Sequence, residues 1–281
     1  RRQRQMCIRD RVYTVAAHKL GSLLQAELGV GLDVSVPSGN PGESLDRTIA
    51  AVMDGQADLT LLNWLPYLWL HEMAGVEPAV GHLRFGDYYY YSQFYTRFDS
   101  GITSLTDLAG EHLCWVDPSS TSGYVIPSLM LRALGIDADA DSEFIGSHTQ
   151  LAQALYYEAT CAAGAAFWDV RDLVAESEGI TDIKDVVLAL GSRSPGIPAE
   201  SFAFGSNFPD ELRAEAVAAL VAIAGPYTEP DPPPPGFEAV SELLPGHEGL
   251  VAIEHGVYQG LLALISDAGM TVEEVYERYM Y

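Results

Sequence analysis

An α/β fold in two lobes is the architecture this sequence predicts, on three observations. Short apolar runs alternate with segments of helical periodicity along almost the whole chain. Of 281 residues, 48% are hydrophobic, enough for a sizeable core in one large or two modest domains. Strand-to-loop boundaries near 97–101 and 201–206 offer two crossings between lobes. They give a first lobe of residues 1–98 and 205–281 and a second of 99–204.

The elements follow in order. Residues 15–28 predict a helix with Leu20, Leu23, Leu24 and Leu28 on one face. Gly29 and Gly31 end it, and 32–36 reads as a short strand. After a loop at 37–42, residues 45–53 form a helix stopped by Asp54-Gly55, and 59–62 is a buried strand. This alternation predicts a largely parallel sheet. Residues 88–97 are aromatic-rich and read as strand, broken by Asp99-Ser100-Gly101. A helical turn at 105–108, a strand at 113–116 and a helix at 123–134 follow. Then come a strand at 144–145, a helix at 149–157, a strand at 163–167, a helix at 170–176 and strands at 186–190 and 201–204. Residues 211–224 are strong helix formers, and 230–235 is a stiff, extended proline segment. The tail, 258–279, reads as two helices divided near Gly269-Met270.

The formal net charge is −24. Arg1, Arg2, Arg4, Arg9 and Arg11 crowd the start, leaving 10 basic residues against 38 acidic elsewhere. Such a surface excludes nucleic acid and anionic membranes as partners. It also repels an anionic small ligand at long range, so an anion site here has to work through local dipoles and hydrogen bonds. Residues 1–11 clash in charge with the remainder and read as non-native sequence, with the opening strand of the first lobe missing. No stretch of 18 apolar residues is present, so no transmembrane helix is expected, and the start has no apolar core of a signal peptide. Cys7, Cys114 and Cys161 have no CxxC or zinc spacing. Cys114 and Cys161 lie in apolar runs and read as buried thiols, with a disulfide as the alternative. No metal and no cofactor is expected.

The chemistry concentrates at Asp117-Pro118-Ser119-Ser120-Thr121-Ser122-Gly123-Tyr124. A strand runs into three consecutive hydroxyls and a helix begins at once. The helix start presents backbone N–H groups and the positive end of the dipole, and the hydroxyls add donors. Together they suit a tetrahedral oxyanion without a cation. One hydroxyl suffices for a plain N-cap, so both readings stand. Gly146-Ser147-His148 repeats the pattern before the next helix, and His148 reads either as a donor to an oxyanion or as a structural histidine. His18, His71, His82, His112, His247 and His255 form no ligand spacing and are assigned to surface or packing.

Asp117-Pro118, Ser120-Thr121-Ser122-Gly123-Tyr124 and Pro127 together resemble the signature of the phosphate/phosphite/phosphonate-binding proteins of ABC importers. Gly55-Gln56-Ala57-Asp58-Leu59, Asp99-Ser100-Gly101-Ile102 with Leu105, Asp107, Leu108 and Gly110, Gly146-Ser147-His148, and Pro195 with Ile197-Pro198 agree with that family in order and spacing. The resemblance covers about residues 16–276. It implies a type II periplasmic-binding-protein (Venus-flytrap) fold with a ligand cleft between α/β lobes. It implies that Ser120, Thr121, Ser122 and His148 hold the oxyanion from the second lobe and Tyr91 contacts it from the first. Asp169 and Glu200 stand where acids of the family meet a ligand amine; solvated rim residues are the other reading. A carboxylate about 4 Å from a like charge costs roughly 4 kcal/mol at an effective dielectric near 20, so two acids favour an aminoalkylphosphonate over ionised phosphate. Trp64 and Tyr67 line the first-lobe wall or belong to its core. Leu45 replaces the family's first-lobe tyrosine, and Asn63-Trp64 replaces a glycine-containing turn.

The resemblance thus implies an extracytoplasmic solute-binding protein, periplasmic or membrane-anchored outside the cell. It would be a monomer delivering a small oxyanion to ABC permease subunits. A ligand-sensing ectodomain on the same shell is the alternative. A phosphate-ester hydrolase fits less well, because there is no Walker loop, no Gly-x-Ser-x-Gly elbow and no metal cluster in the linear spacing.

Overall fold

Leu20, Leu23, Leu24 and Leu28 recur at helical spacing, and they form the inward stripe of α1 (Arg2–Leu28). The computed structural model describes the chain apart from residues 1, 38–40, 158–160, 229–230 and 281, and apart from the side chains of residues 2–12 and 41. The expected loop at 37–42 and proline segment at 230–235 therefore fall partly outside the described residues. The helix expected from residue 15 is longer, since the backbone is helical from Arg2.

α2 (Pro41–Met53), β1 (Leu59–Leu62), α3 (Trp64–Ala74), β2 (Glu77–Leu83) and β3 (Tyr89–Tyr90) follow. Next come β4 (Ser92–Arg97), a 3-10 turn at Leu105–Leu108, β5 (Leu113–Trp115), a π-helical turn at Thr121–Val125 and α4 (Ile126–Ala133). β6 (Ser142–Phe144), α5 (His148–Tyr156), β7 (Ala163–Phe167), α6 (Val170–Glu178), α7 (Ile183–Val186) and β8 (Val187–Leu190) complete the middle of the chain. β9 (Ile197–Pro198), β10 (Ser201–Phe204), α8 (Asp210–Ala224), α9 (Phe237–Leu243) and β11 (Gly249–Ala252) lead to the tail helices α10 (Gln259–Asp267) and α11 (Val272–Met280).

Two units emerge: residues 1–89 with 198–257, and residues 90–197 with 258–281. This division differs from the expected one at 98/99 and 204/205, for two reasons. β4 is the strand between β7 and β8, so its ladder ties it to the second unit. The tail helices join that unit too: Arg132 Nε donates to the Ala268 carbonyl (2.9 Å), and Tyr279 meets Tyr124 edge-on at 5.5 Å.

The first unit's sheet has the order β1-β10-β2-β11, and every pair in it is antiparallel. The expectation of a largely parallel sheet is not met in either unit: in the second, β5 lies parallel to β6 and β7, but β4 lies antiparallel to β7 and β8. That five-stranded sheet, β6-β5-β7-β4-β8, is mixed. The strand expected at 32–36 is not formed. Leu32, Val34 and Val36 are part-buried and alternate with exposed Asp33 and Ser35, yet no ladder partner stands beside them among the described residues. An isolated strand has nothing to satisfy its backbone.

α1, α8 and α9 cover one face of the first sheet, around Leu20, Leu24, Val80, Leu220, Ile223 and Leu250. In the second unit α5 and α6 cover the sheet over Tyr95, Leu151, Leu155, Val170 and Val174. Cys114 and Cys161, read first as thiols, are joined in a disulfide across Cα atoms 5.6 Å apart. The parallel pairing of Leu113 with Ala163 brings the two residues side by side despite a separation of 47 in sequence.

Candidate functional site

The second unit gathers its polar loops at one edge of its sheet, beyond the carboxyl ends of the parallel strands β5, β6 and β7. β4 runs the other way, so its first residue, Ser92, lies at this edge opposite Phe167, the last of β7.

After β5 the chain turns at Asp117. Its carboxylate accepts from the Ser119 N–H (2.9 Å) and from Ser119 Oγ (2.6 Å), and these bonds, the hydroxyl's foremost, hold it below the usual carboxylate range. Ser120 then caps the helix: its Oγ accepts from the Gly123 N–H at 3.1 Å. The plain-cap reading is thereby correct for Ser120 but accounts for one hydroxyl only. The first turn is wound as a π-helix. The Ser120 carbonyl accepts both the Tyr124 N–H (2.9 Å) and the Val125 N–H (3.0 Å), the wide pitch often found at functional sites. Thr121 is part-buried and Ser122 is buried, and the Ser122 carbonyl accepts from Ser92 Oγ at 2.7 Å. Gly123 is required by space. A Cβ there would stand 2.4 Å from Val116 Cγ2 and 2.7 Å from Ser120 Oγ.

The histidine loop is fastened to the same turn. The Gly146 N–H donates to the Val116 carbonyl (2.7 Å), and Ser147 caps α5 by accepting from the Gln150 N–H (3.2 Å). His148 follows at the first position of α5. Its Nδ1 accepts the Phe167 N–H at 3.2 Å, which leaves Nε2 to carry the proton of a neutral ring. Burial pushes the imidazole down to about 4, so it is neutral at pH 7. Nε2 lies 3.5 Å from Ser120 Oγ. His148 is thus a neutral hydrogen-bond donor beside a helix start, and Ser120 and His148 are brought together as expected.

Tyr91 was expected in the first lobe, but it belongs to the second unit. Its carbonyl accepts the Trp168 N–H (3.0 Å), and the Arg193 guanidinium lies 4.6 Å from its ring and 4.4 Å from that of Trp168. Sequence reasoning missed Arg193. Ser194 carries it to the site edge: Ser92 N–H donates to Ser194 Oγ, and Ser194 N–H returns to the Ser92 carbonyl, both at 2.9 Å. The available signal was an arginine three residues beyond a predicted strand in a strongly acidic chain.

Asp169 points to a different partner from the one expected. Both its oxygens are taken by Arg171 (2.8 and 3.1 Å), and Lys184 Nζ stands 3.3 Å away. Burial raises this carboxyl, but the bonds and charges of Arg171 and Lys184 together hold it below its ordinary value. Trp64 and Glu200 belong to the first unit. Trp64, at 1% exposure, is a core residue of α3, as the packing reading had it. Glu200 lies 3.6 Å from His82 Nδ1, an ion-pair distance longer than a hydrogen bond, and His82 is the leading cause that keeps its carboxyl low.

The two-unit α/β fold and the family match together define a solute-binding protein in class. Residues 9–258 match the family model described as the periplasmic substrate-binding protein of ABC phosphonate transporters, and the chain belongs to that family. It is 33% identical over 123 residues to the phosphate-import protein PhnD of Mycolicibacterium smegmatis, a match covering 41% of this chain and 37% of that protein's length. Among solved structures it is similar to XAC2383 from Xanthomonas citri bound to ATP, with a TM-score of 0.67, 18% identity and 95% of each chain covered. It is also similar to PhnD1 from Prochlorococcus marinus in complex with methylphosphonate, with a TM-score of 0.58, 13% identity and 93% of this chain and 94% of that one covered. At such identities the likeness is one of fold.

Proposed function

We propose that the chain is the extracytoplasmic ligand-binding component of an ABC importer, and that it holds a phosphonate, phosphite or phosphate oxyanion. The observation that carries this reading is the pairing of the Ser120–Ser122 π-turn with a neutral His148 whose Nε2–H points to the same place. The hydroxyls and the imidazole N–H are each able to donate and carry only partial charge, Ser120 Oγ while it accepts from the Gly123 N–H. They suit an anion that reaches a highly acidic protein, because they bind without requiring a desolvated counter-charge. Arg193, beside Tyr91 and Trp168, supplies a cation at the same edge of the sheet.

The tautomer of His148 also speaks against a hydrolase. A base must accept the serine proton, and here Nε2 already carries one while Nδ1 is committed to Phe167. The case for an amine on the ligand is weaker than the sequence made it, since Asp169 is held by Arg171 and Lys184. Methylphosphonate, phosphite and phosphate therefore come before aminoalkylphosphonates. The disulfide supports an oxidising, extracytoplasmic location, and among the described residues no helix is long and apolar enough to cross a membrane. A monomer that docks on permease subunits is the working assembly.

Calorimetry with methylphosphonate, phosphite, phosphate and aminoethylphosphonate tests the reading. At least one of the first three is expected to bind, and a protein with Thr121→Ala and Ser122→Ala together to bind it at least tenfold more weakly. If the panel fails to bind, or if the double variant binds as well as the parent, the oxyanion site is refuted.

A further inference from the structure

We propose that the second unit carries a redox-gated site for a zinc-like divalent cation, formed by His112, Glu143 and the sulfurs of Cys114 and Cys161 once their disulfide is reduced. The ligands are assembled by sheet register. His112 and Cys114 are two residues apart at the start of β5 and share a face of the sheet. β6 lies parallel alongside with Cys114 paired to Glu143, and on the other side β7 begins just after Cys161. The result is that His112, Cys114 and Glu143 offer ligand atoms all within 4.8 Å of one another. Cys161, bonded to Cys114, brings a fourth.

The geometry around His112 is that of a metal ligand with its supporting carboxylate. Nδ1 lies 2.6 Å from Asp141 Oδ1, a bond in which the ring donates, so Nε2 is left as an acceptor in the neutral form. Nε2 faces Glu143 Oε1 at 3.5 Å, and Cys114 Sγ is 3.8 Å from the same oxygen. Zinc bonds of about 2.0 Å to nitrogen and oxygen and about 2.3 Å to sulfur make tetrahedral edges of roughly 3.3–3.8 Å; the two edges to Glu143 already have that spacing, and all three ligand atoms lie within 4.8 Å. Two thiolates, an imidazole and a carboxylate form a donor set that zinc and related borderline cations favour.

The disulfide controls access to that set, because a bonded sulfur is a poor ligand and a thiolate a strong one. A dithiol reductant gives two electrons to the pair. The Cys114–Cys161 bond breaks, the reductant closes its own disulfide, and its two protons pass to the freed sulfurs. Two sulfur–metal bonds then form as those protons leave to solvent. A disulfide oxidant reverses the sequence: it takes the two electrons and is reduced to a dithiol with two protons from solvent, the Cys114–Cys161 bond re-forms, and the cation is released. This site lies at the amino-terminal edge of the β5–β6 pair, away from the oxyanion loops at the carboxyl edge, and it does not depend on the transport reading.

Anaerobic titration with zinc and cobalt tests the site directly. The reduced protein is expected to bind one cation at least a hundredfold more tightly than the oxidised protein, with a thiolate-to-cobalt absorption band. His112→Ala, at a part-exposed position, should weaken binding at least tenfold and alter that band. Asp141→Asn should weaken it roughly ten- to a hundredfold through loss of the supporting carboxylate. Cys161→Ser should bind without any reductant, which guards against loss of fold on reduction. An unfolded chain takes cobalt through its cysteines whatever stands at position 112. Identical spectra from the parent and His112→Ala, or equal affinity of oxidised and reduced protein, therefore overturn the proposal and leave His112 as a histidine paired to two carboxylates.

Discussion

His148 is uncharged at neutral pH. Its Nδ1 needs a lone pair for the Phe167 N–H, and burial opposes a charge, so protonation costs both the bond and the desolvation. The folded ring therefore takes up no proton until about pH 4, while the unfolded chain takes one near 6.5. The unfolded state binds more protons in that window, so this residue's contribution to stability is full above pH 6.5 and is lost as pH falls toward 4. Between pH 7 and pH 5 the expected loss from this residue is about 2 kcal/mol. Urea unfolding should show the parent losing about that much more than His148→Gln, which keeps a donor and an acceptor but does not titrate. Asp169 gives a second prediction at this scale. Asp169→Asn strips the partner from Arg171, both side chains being nearly buried, and should cost about 3 kcal/mol in the ligand-free protein. Calorimetry should find its preference between aminoethylphosphonate and methylphosphonate unchanged, whereas a ligand-contacting acid would shift it.

At the scale of elements, the start of the Thr121–Val125 turn is fixed by what Gly123 lacks. A methyl group there meets Val116 and Ser120 Oγ well inside contact distance, so the helix start would move off β5 and carry the hydroxyls with it. Gly123→Ala should destabilise by about 1–3 kcal/mol in thermal or urea unfolding and weaken oxyanion binding together with it. The strand, the hydroxyl run and the glycine were all legible in the sequence because strand end, cap and helix start are local chemistry. So were β1, β7, β10 and the two tail helices, whose apolar runs are bounded by clear breakers. α3 and β2 were not legible. α3 is apolar on almost every side, Trp64, Leu65, Pro66, Tyr67, Leu68 and Leu70 all being buried, and a helix without a polar face shows no period. β2 contains Pro78 and Gly81, residues that read as breakers, although Gly81 lies against Ile253 where a larger residue would crowd it. The lack of a ladder partner beside 32–36 among the described residues, the disulfide and the place of Arg193 are consequences of register between distant segments. Sequence spacing does not encode them.

For the whole molecule, the decisive quantity is a net charge of −24 set against the proposed anionic ligand. The local donors at Ser120–Ser122 and His148 act over hydrogen-bond distances, while the acidic surface acts over a Debye length. That length is about 30 Å at 0.01 M ionic strength and about 8 Å at 0.15 M. Salt therefore removes the long-range repulsion and leaves the short bonds almost untouched. Association of the oxyanion is expected to speed up by roughly two- to threefold over that range, with dissociation nearly constant, so affinity rises with salt. This is the reverse of the behaviour of a site built on exposed lysines or arginines, where salt screens the attraction itself. Stopped-flow binding of methylphosphonate at several chloride concentrations measures it. A rate that falls with salt would mean that Arg193, not the backbone and hydroxyl donors, dominates capture. In that case Arg193→Gln should restore a rate that rises with salt, because the acidic surface remains, while the Thr121→Ala, Ser122→Ala protein should keep the falling one.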